Sequence, residues 1–258
     1  MRKRLITTMV LGTALAVACA GIATAYKPTV IKEGNLELIL NGGFSPTKLP
    51  RKKLAPIQLN ISGKINTLDG SRPPALKEVI VETDKNGTIN AKGLPTCTLG
   101  KLKARETAAA LKACKAALVG KGKTDVEVQF PESPPFIAHS KLLAFNGGVR
   151  GGKTTILIHA YLKNPVSAAV LTTVTVTKIH HGRYGTKSVA KVPLIVNGYG
   201  SPTSFELNFF RMFKYRGKTQ SYLLAKCTDG KLKAHAVSIF REGPSMTGNF
   251  SRPCTPKG

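Results

Sequence analysis

Eight residues of this chain match a phosphate-binding pattern letter for letter. Gly147-Gly148-Val149-Arg150-Gly151-Gly152-Lys153-Thr154 reads G-x-x-x-x-G-K-[ST]. In a P-loop, backbone amides cradle the phosphates, the lysine neutralises them and the hydroxyl binds Mg²⁺. That chemistry requires a strand before the loop and a helix after it. Leu142 to Phe145 suits the strand, but Thr154-Thr155-Ile156-Leu157-Ile158 is β-branched and reads as a second strand. No apolar run ending in a metal-binding aspartate follows. A glycine-rich basic hairpin has the same letters. It is expected to bind no nucleotide and no other cofactor, and it leaves Arg150 and Lys153 as cations that can touch an anion.

The other reactive side chains do not assemble into a recognisable site. His139, His159, His180, His181 and His235 lack H-x-x-x-H and H-E-x-x-H spacing. The adjacent pair His180-His181 would point to opposite faces of a strand, so no metal site is expected. No G-x-S-x-G elbow is present. A glycosidase needs two facing carboxylates, and no pair stands out among 13 acids. Glu206 falls on the polar side of its strand. With no Trp and only 6 Tyr, sugar recognition by ring stacking is disfavoured. The expectation is therefore a non-enzymatic protein, structural or polyanion-binding. The alternative is a secreted hydrolase whose site is assembled from distant residues.

The first twenty-five residues give an address. Met1-Arg2-Lys3-Arg4 is a positive start, Leu5 to Ile22 is an uncharged and mostly apolar run, and Ala23-Thr24-Ala25 is a small-x-small cleavage site. That order reads as a secretory signal peptide, with the mature chain starting at Tyr26. Two alternatives are an uncleaved anchor and acylation at Cys19, since Leu15-Ala16-Val17-Ala18-Cys19 loosely resembles a lipobox. Either way the protein is expected to be secreted or associated with the cell envelope.

Cysteine usage agrees with export. After cleavage Cys97, Cys114, Cys227 and Cys254 remain. An even number in a secreted chain suggests two disulfides, with three connectivities possible. Their clustering favours Cys97–Cys114 and Cys227–Cys254. Zinc is the rival reading, but no C-x-x-C occurs.

Charge narrows the class of partner. The chain carries 39 Lys+Arg against 13 Asp+Glu. Removing residues 1–25 takes away Arg2, Lys3 and Arg4 and no acid, leaving 36 against 13, near +23. Such a field attracts polyanions. An anionic envelope polymer or anionic surface is expected as partner, with no specific nucleic acid. Residues 45–56 form an exposed basic segment, so the anion-contact candidates are Lys48, Arg51, Lys52 and Lys53, with Arg150 and Lys153. Oligomeric state is left open.

These side chains must be positioned by strands. Ile57, Leu59 and Ile61, then Val126, Val128 and Phe130, then Phe205, Leu207 and Phe209 alternate with polar residues. A period of two puts one set on a core face. Ala168 to Thr177 is a long β-branched run. Lys85-Asn86-Gly87-Thr88 suits a hairpin turn, and His181-Gly182-Arg183-Tyr184-Gly185 joins the next long pair. One segment departs from alternation. Ala104, Ala108, Leu111, Cys114 and Leu118 recur at helical spacing, which predicts a helix over about 104–118 that Gly120 terminates. Cys114 on its apolar face can reach back to Cys97. The expected fold is mainly β: an antiparallel β-sandwich-like single domain over 26–258, with one short disulfide-pinned helix. The proline-rich stretch 131–135 is the best candidate for a split, or else a loop between strands of one sandwich.

The stretch Gly93-Leu94-Pro95-Thr96-Cys97-Thr98-Leu99 is followed by Thr107 to Ala109, Leu111, Cys114 and Ala117-Leu118-Val119-Gly120-Lys121-Gly122. It resembles a signature of a group of uncharacterised secreted bacterial proteins. Pro73-Pro74-Ala75-Leu76, Phe145-Asn146-Gly147 and the basic start of the mature chain are similar too. The likeness covers most of the chain from about residue 35. It implies export and a β-rich fold with a Cys-stapled helix, and it brings no activity, ligand or catalytic residue.

Overall fold

The computed structural model describes residues 26–163 and 167–258; the expected signal peptide, and Cys19 with it, lies outside them. The chain opens with a hairpin of β1 (Thr29–Glu33) and β2 (Leu36–Ser45). Short β3 (Lys48–Pro50) and β4 (Ala55–Pro56) lead into β5 (Gln58–Thr67) and β6 (Leu76–Asp84). After β7 (Gly87–Ile89) come α1 (Leu99–Leu102), α2 (Thr107–Cys114) and one 3₁₀ turn. A meander follows: β8 (Leu118–Val128), β9 (Phe136–Arg150), β10 (Lys153–Leu162), β11 (Ala168–His181) and β12 (Tyr184–Lys191). Then come β13 (Gly200–Phe209), short β14 (Met212–Tyr215), β15 (Lys218–Ser221) and β16 (Leu223–Ala225). The chain closes with β17 (Lys231–Phe240), β18 (Met246–Pro253) and β19 (Thr255–Lys257).

Twelve of these strands make one antiparallel sheet in the order β1-β2-β5-β13-β8-β9-β10-β11-β12-β6-β17-β18. The sheet folds over on itself into a sandwich-like body, because its concave face is the apolar one. Leu36 and Leu38 of β2, near one edge, share a buried cluster with Phe240 of β17 and Met246 of β18 at the other. β1 comes to rest beside β18. The approach is close: a Cβ on Gly248 would lie 2.7 Å from Ile31 Cδ1. The larger cluster joins Leu142 and Ala144, Ile156 and Ala160, Val174 and Val176, and Leu207 and Phe209. Each pair is separated by two or four residues, the spacing that keeps side chains on one face of a strand.

The opposite face of β9 and β10 is also covered. Leu143, Phe145 and Leu157 pack under Leu102, Ala110, Cys114 and Ala117. Each fully buried side chain of this kind contributes roughly 1.5–3 kcal/mol. Cys97 and Cys114 form a disulfide with Cα atoms 5.6 Å apart, and Cys227 and Cys254 form the second, at 6.0 Å. Both pairings agree with the clustering argument.

Three local expectations are corrected. The helix is shorter than 104–118, because Ala104 sits in a turn at φ 54° and Leu118 already begins β8. Its buried face carries Ala110 and Cys114, while Ala108 is exposed. Gly120 does not terminate it. That residue lies in β8, where a Cβ would meet Asn208 O at 2.8 Å. Asn86-Gly87 does not close a hairpin, since β7 pairs with β16 instead of β6. Asn86 is buried and its side chain donates to Thr228 Oγ1 at 2.9 Å. The proline-rich stretch 131–135 is the loop of the β8–β9 hairpin, in which Val128 pairs with Phe136.

His159 shows what the buried face demands. It is fully enclosed, its Nε2–H donates to the Arg105 carbonyl at 2.8 Å, and Nδ1 has no partner among the described residues. Burial lowers its pKa below the usual 6.5. The unfolded chain therefore takes up a proton first as pH falls. This contribution to stability is complete above about 6.5 and is lost between that value and the lowered folded one. The melting temperature is expected to drop between about pH 7 and about pH 5, and the drop should shrink in His159→Gln. An unchanged pH profile in that variant would assign the dependence to another group.

Candidate anion-binding surface

The P-loop letters fold as strand, turn, strand. Arg150 pairs with Lys153 across Gly151-Gly152, whose φ angles of +54° and +73° fit a type I′ turn. No helix follows, so the amides that would cradle phosphates are committed to a ladder. What remains at the tip is two exposed cations, Arg150 and Lys153.

In an antiparallel sheet connections alternate between two ends. The turn 151–152 shares its end with 46–57, 85–117, 182–183, 210–230 and the tail 254–258. Lys48, Arg51, Lys52 and Lys53 all lie in 46–57 and are exposed, so all six candidate cations face one end. The segment 85–117 climbs the outer face of β9 and β10 as far as His159 and is best counted apart. Without it, the connections at this end carry eleven basic residues besides Arg150 and Lys153: four in 46–57, one in 182–183, five in 210–230 and one in 254–258. It carries one acid, Asp229. The connections at the other end, 34–35, 68–75, 129–135, 163–167, 192–199 and 241–245, carry three basic and three acidic residues. The net charge of the molecule is thus unevenly placed, and one end is strongly cationic.

The basic end is built as a lid on the core. The three-stranded sheet β4-β16-β7 and the β14–β15 hairpin sit there. Leu94, Phe213 and Tyr222 point inward into the main cluster. The Cys227–Cys254 disulfide ties this lid down, packed with Leu49 and Ala225. The acid present is neutralised internally. Arg183 Nε donates to Asp84 Oδ2 at 2.7 Å, and its two Nη atoms donate to Asp229 at 2.6 and 2.9 Å. Those hydrogen bonds hold the Asp229 carboxyl below its ordinary 3.8. Asp84 is buried and also accepts from the backbone N–H groups of Asn86 and Lys233. A cleft beside this knot is lined by the ion-paired Asp84, Arg183 and Asp229 together with Lys85, Gly182 and Thr228. A second shallow cleft lies between Arg72, Phe130 and Tyr199 at the other end.

One set of side chains has the composition of a hydrolytic triad but the wrong order. Ser204 Oγ donates to Asp125 Oδ2 at 2.7 Å, and His139 Nδ1 lies 2.6 Å from Asp125 Oδ1. Ser204, and then His139, hold the Asp125 carboxyl below its ordinary 3.8. A nucleophilic serine needs the histidine between hydroxyl and carboxylate. Here the carboxylate is central, so the histidine does not contact the hydroxyl. Among the described residues no group of three or more His, Cys, Asp and Glu is placed to hold a metal, and no helix is long and apolar enough to cross a membrane.

Sequence reasoning missed the cations of 210–230, among them Lys214, Arg216 and Lys218, all exposed. The available signal was connection length. The long basic connections leave the sheet at one end and the short, charge-balanced ones at the other. Compared with protein-family models, curated proteins and solved structures, the chain matches none.

Proposed function

We propose that this protein is a secreted, non-enzymatic module of the cell envelope that binds anionic polymers by charge, through one end of its sheet. The segregation of cations to that end carries the reading. Two disulfides are consistent with an extracellular or envelope location. Export is expected to follow cleavage after Ala25, so that the exported protein has the intact mass of a chain beginning at Tyr26.

Binding to polyphosphate tests the charge reading. If several polymer charges are neutralised together, affinity falls at least about tenfold between roughly 50 and 200 mM salt. Reversing Arg51, Lys52 and Lys53 together to Glu should weaken every polyanion similarly. The same reversal at Lys77, Lys163 and Lys191, at the other end, should not. Salt-insensitive binding to a single polymer would mean a shaped site and would overturn this function.

A further inference from the structure

We infer that the basic end is a docking face for an anionic lipid bilayer, an assignment that rests on the charge reading above and names its partner. Three observations converge. Charge is the first: Arg150, Lys153 and the eleven basic residues of the connections lie at that end, with one acid, which Arg183 pairs internally. The second is apolar side chains set among those cations. Leu54 follows Lys53 and is 45% exposed, Val149 precedes Arg150 at 59%, and Phe210 and Met212 flank Arg211 at 42% and 48%. A soluble polymer has no use for such residues. A bilayer interface accepts them below the headgroups while the cations meet the phosphates. The other end also exposes Leu68, Leu194 and Tyr199, but there the charge is balanced.

The third observation is where the chain enters. Tyr26 lies over Gly43 near the end of β2, and its ring sits 5.1 Å from the Arg252 guanidinium carbon. Arg252 is held by the Gly42 carbonyl and by Asn41 Oδ1. Both strands reach the basic end at these residues. The described chain therefore enters the fold at that end, and its first residue covers the margin between β2 and β18 there.

Vesicle sedimentation of the exported, disulfide-formed protein decides the matter. Vesicles of phosphatidylcholine alone are compared with vesicles containing about a third phosphatidylglycerol, and polyphosphate is titrated separately. The protein should pellet with the anionic vesicles only. Reversing Arg51, Lys52 and Lys53 to Glu should reduce partitioning on the order of a hundredfold. Replacing exposed Leu54, Val149 and Met212 by Ser should reduce vesicle binding about fivefold or more and leave polyphosphate affinity unchanged. Thermal melts of each variant confirm that the fold is retained. Equal vesicle binding with and without the Ser substitutions, with polyphosphate still bound, would leave the charge reading standing and overturn the bilayer assignment. Loss of both ligands at low salt in the unmodified protein would overturn both.

Discussion

Removing both disulfides, by Cys97→Ala with Cys114→Ala and Cys227→Ala with Cys254→Ala, is expected to cost on the order of 6 kcal/mol. Loops of 17 and 27 residues each lose about 3 kcal/mol of denatured-state constraint. That is a large part of the roughly 5–15 kcal/mol that holds an ordinary domain together. The loss should not be uniform. The twelve-stranded sheet keeps its ladders, whereas the segment 97–117 is attached to β9 and β10 chiefly through a small buried cluster that includes Cys97 and Cys114 themselves. Urea unfolding measures the total. Trypsin reports the place, cutting first after Lys101, Lys103, Arg105 or Lys112 in the protein lacking Cys97–Cys114. An unchanged midpoint, or first cuts elsewhere, would show that the staple does not hold this segment.

Arg183→Ala is expected to cost about 3–5 kcal/mol, because it strands the buried carboxylate of Asp84 without its partner. Breaking one side of a buried pair is worse than replacing both. Arg183→Leu combined with Asp84→Asn should therefore recover part of the loss. The acid limb offers a second readout. Asp229 has its pKa lowered from 3.8 by Arg183, so its contribution is complete above about 3.8 and is lost as pH falls through the lowered value. In Arg183→Ala that limb should disappear. An Arg183→Ala protein as stable as the parent would mean that the backbone donors of Asn86 and Lys233 satisfy Asp84 unaided.

The elements were legible in the chain; their order in the sheet was not. Alternation located β5, β8 and β13 because each buries one face, with Leu207 and Phe209 inward between Glu206 and Asn208. The hairpin at Gly151-Gly152 was legible for the same reason, since strand-like residues flank a turn that only glycine takes comfortably. Helix bounds failed where composition misleads. Ala104 has good helix propensity yet adopts a left-handed turn, because the chain must reverse to bring Arg105 over His159. Asn86-Gly87 has the letters of a hairpin, but Asp84 and Thr228 offer the asparagine partners of their own and the chain leaves the sheet. One neighbour of β5 is the distant β13, and β6 lies between the distant β12 and β17. No local pattern encodes such pairings. For that reason six cations were found by composition, while their common direction appeared only with the topology.

The resting place of β1 beside β18 bears on how copies of this molecule stay apart. A twelve-stranded sheet left flat would present two rows of unpaired amides and carbonyls, each a template for a neighbour's strand. Folding the sheet over turns those rows toward each other. Gly248 leaves room for Ile31 to come close, and Tyr26 with Arg252 covers the same margin. Fibril-like growth by strand addition is thereby blocked by shape as well as by like-charge repulsion. A bulky residue at position 248 would pry the margins apart, and its first symptom should be self-association at high salt, where repulsion no longer conceals an open edge.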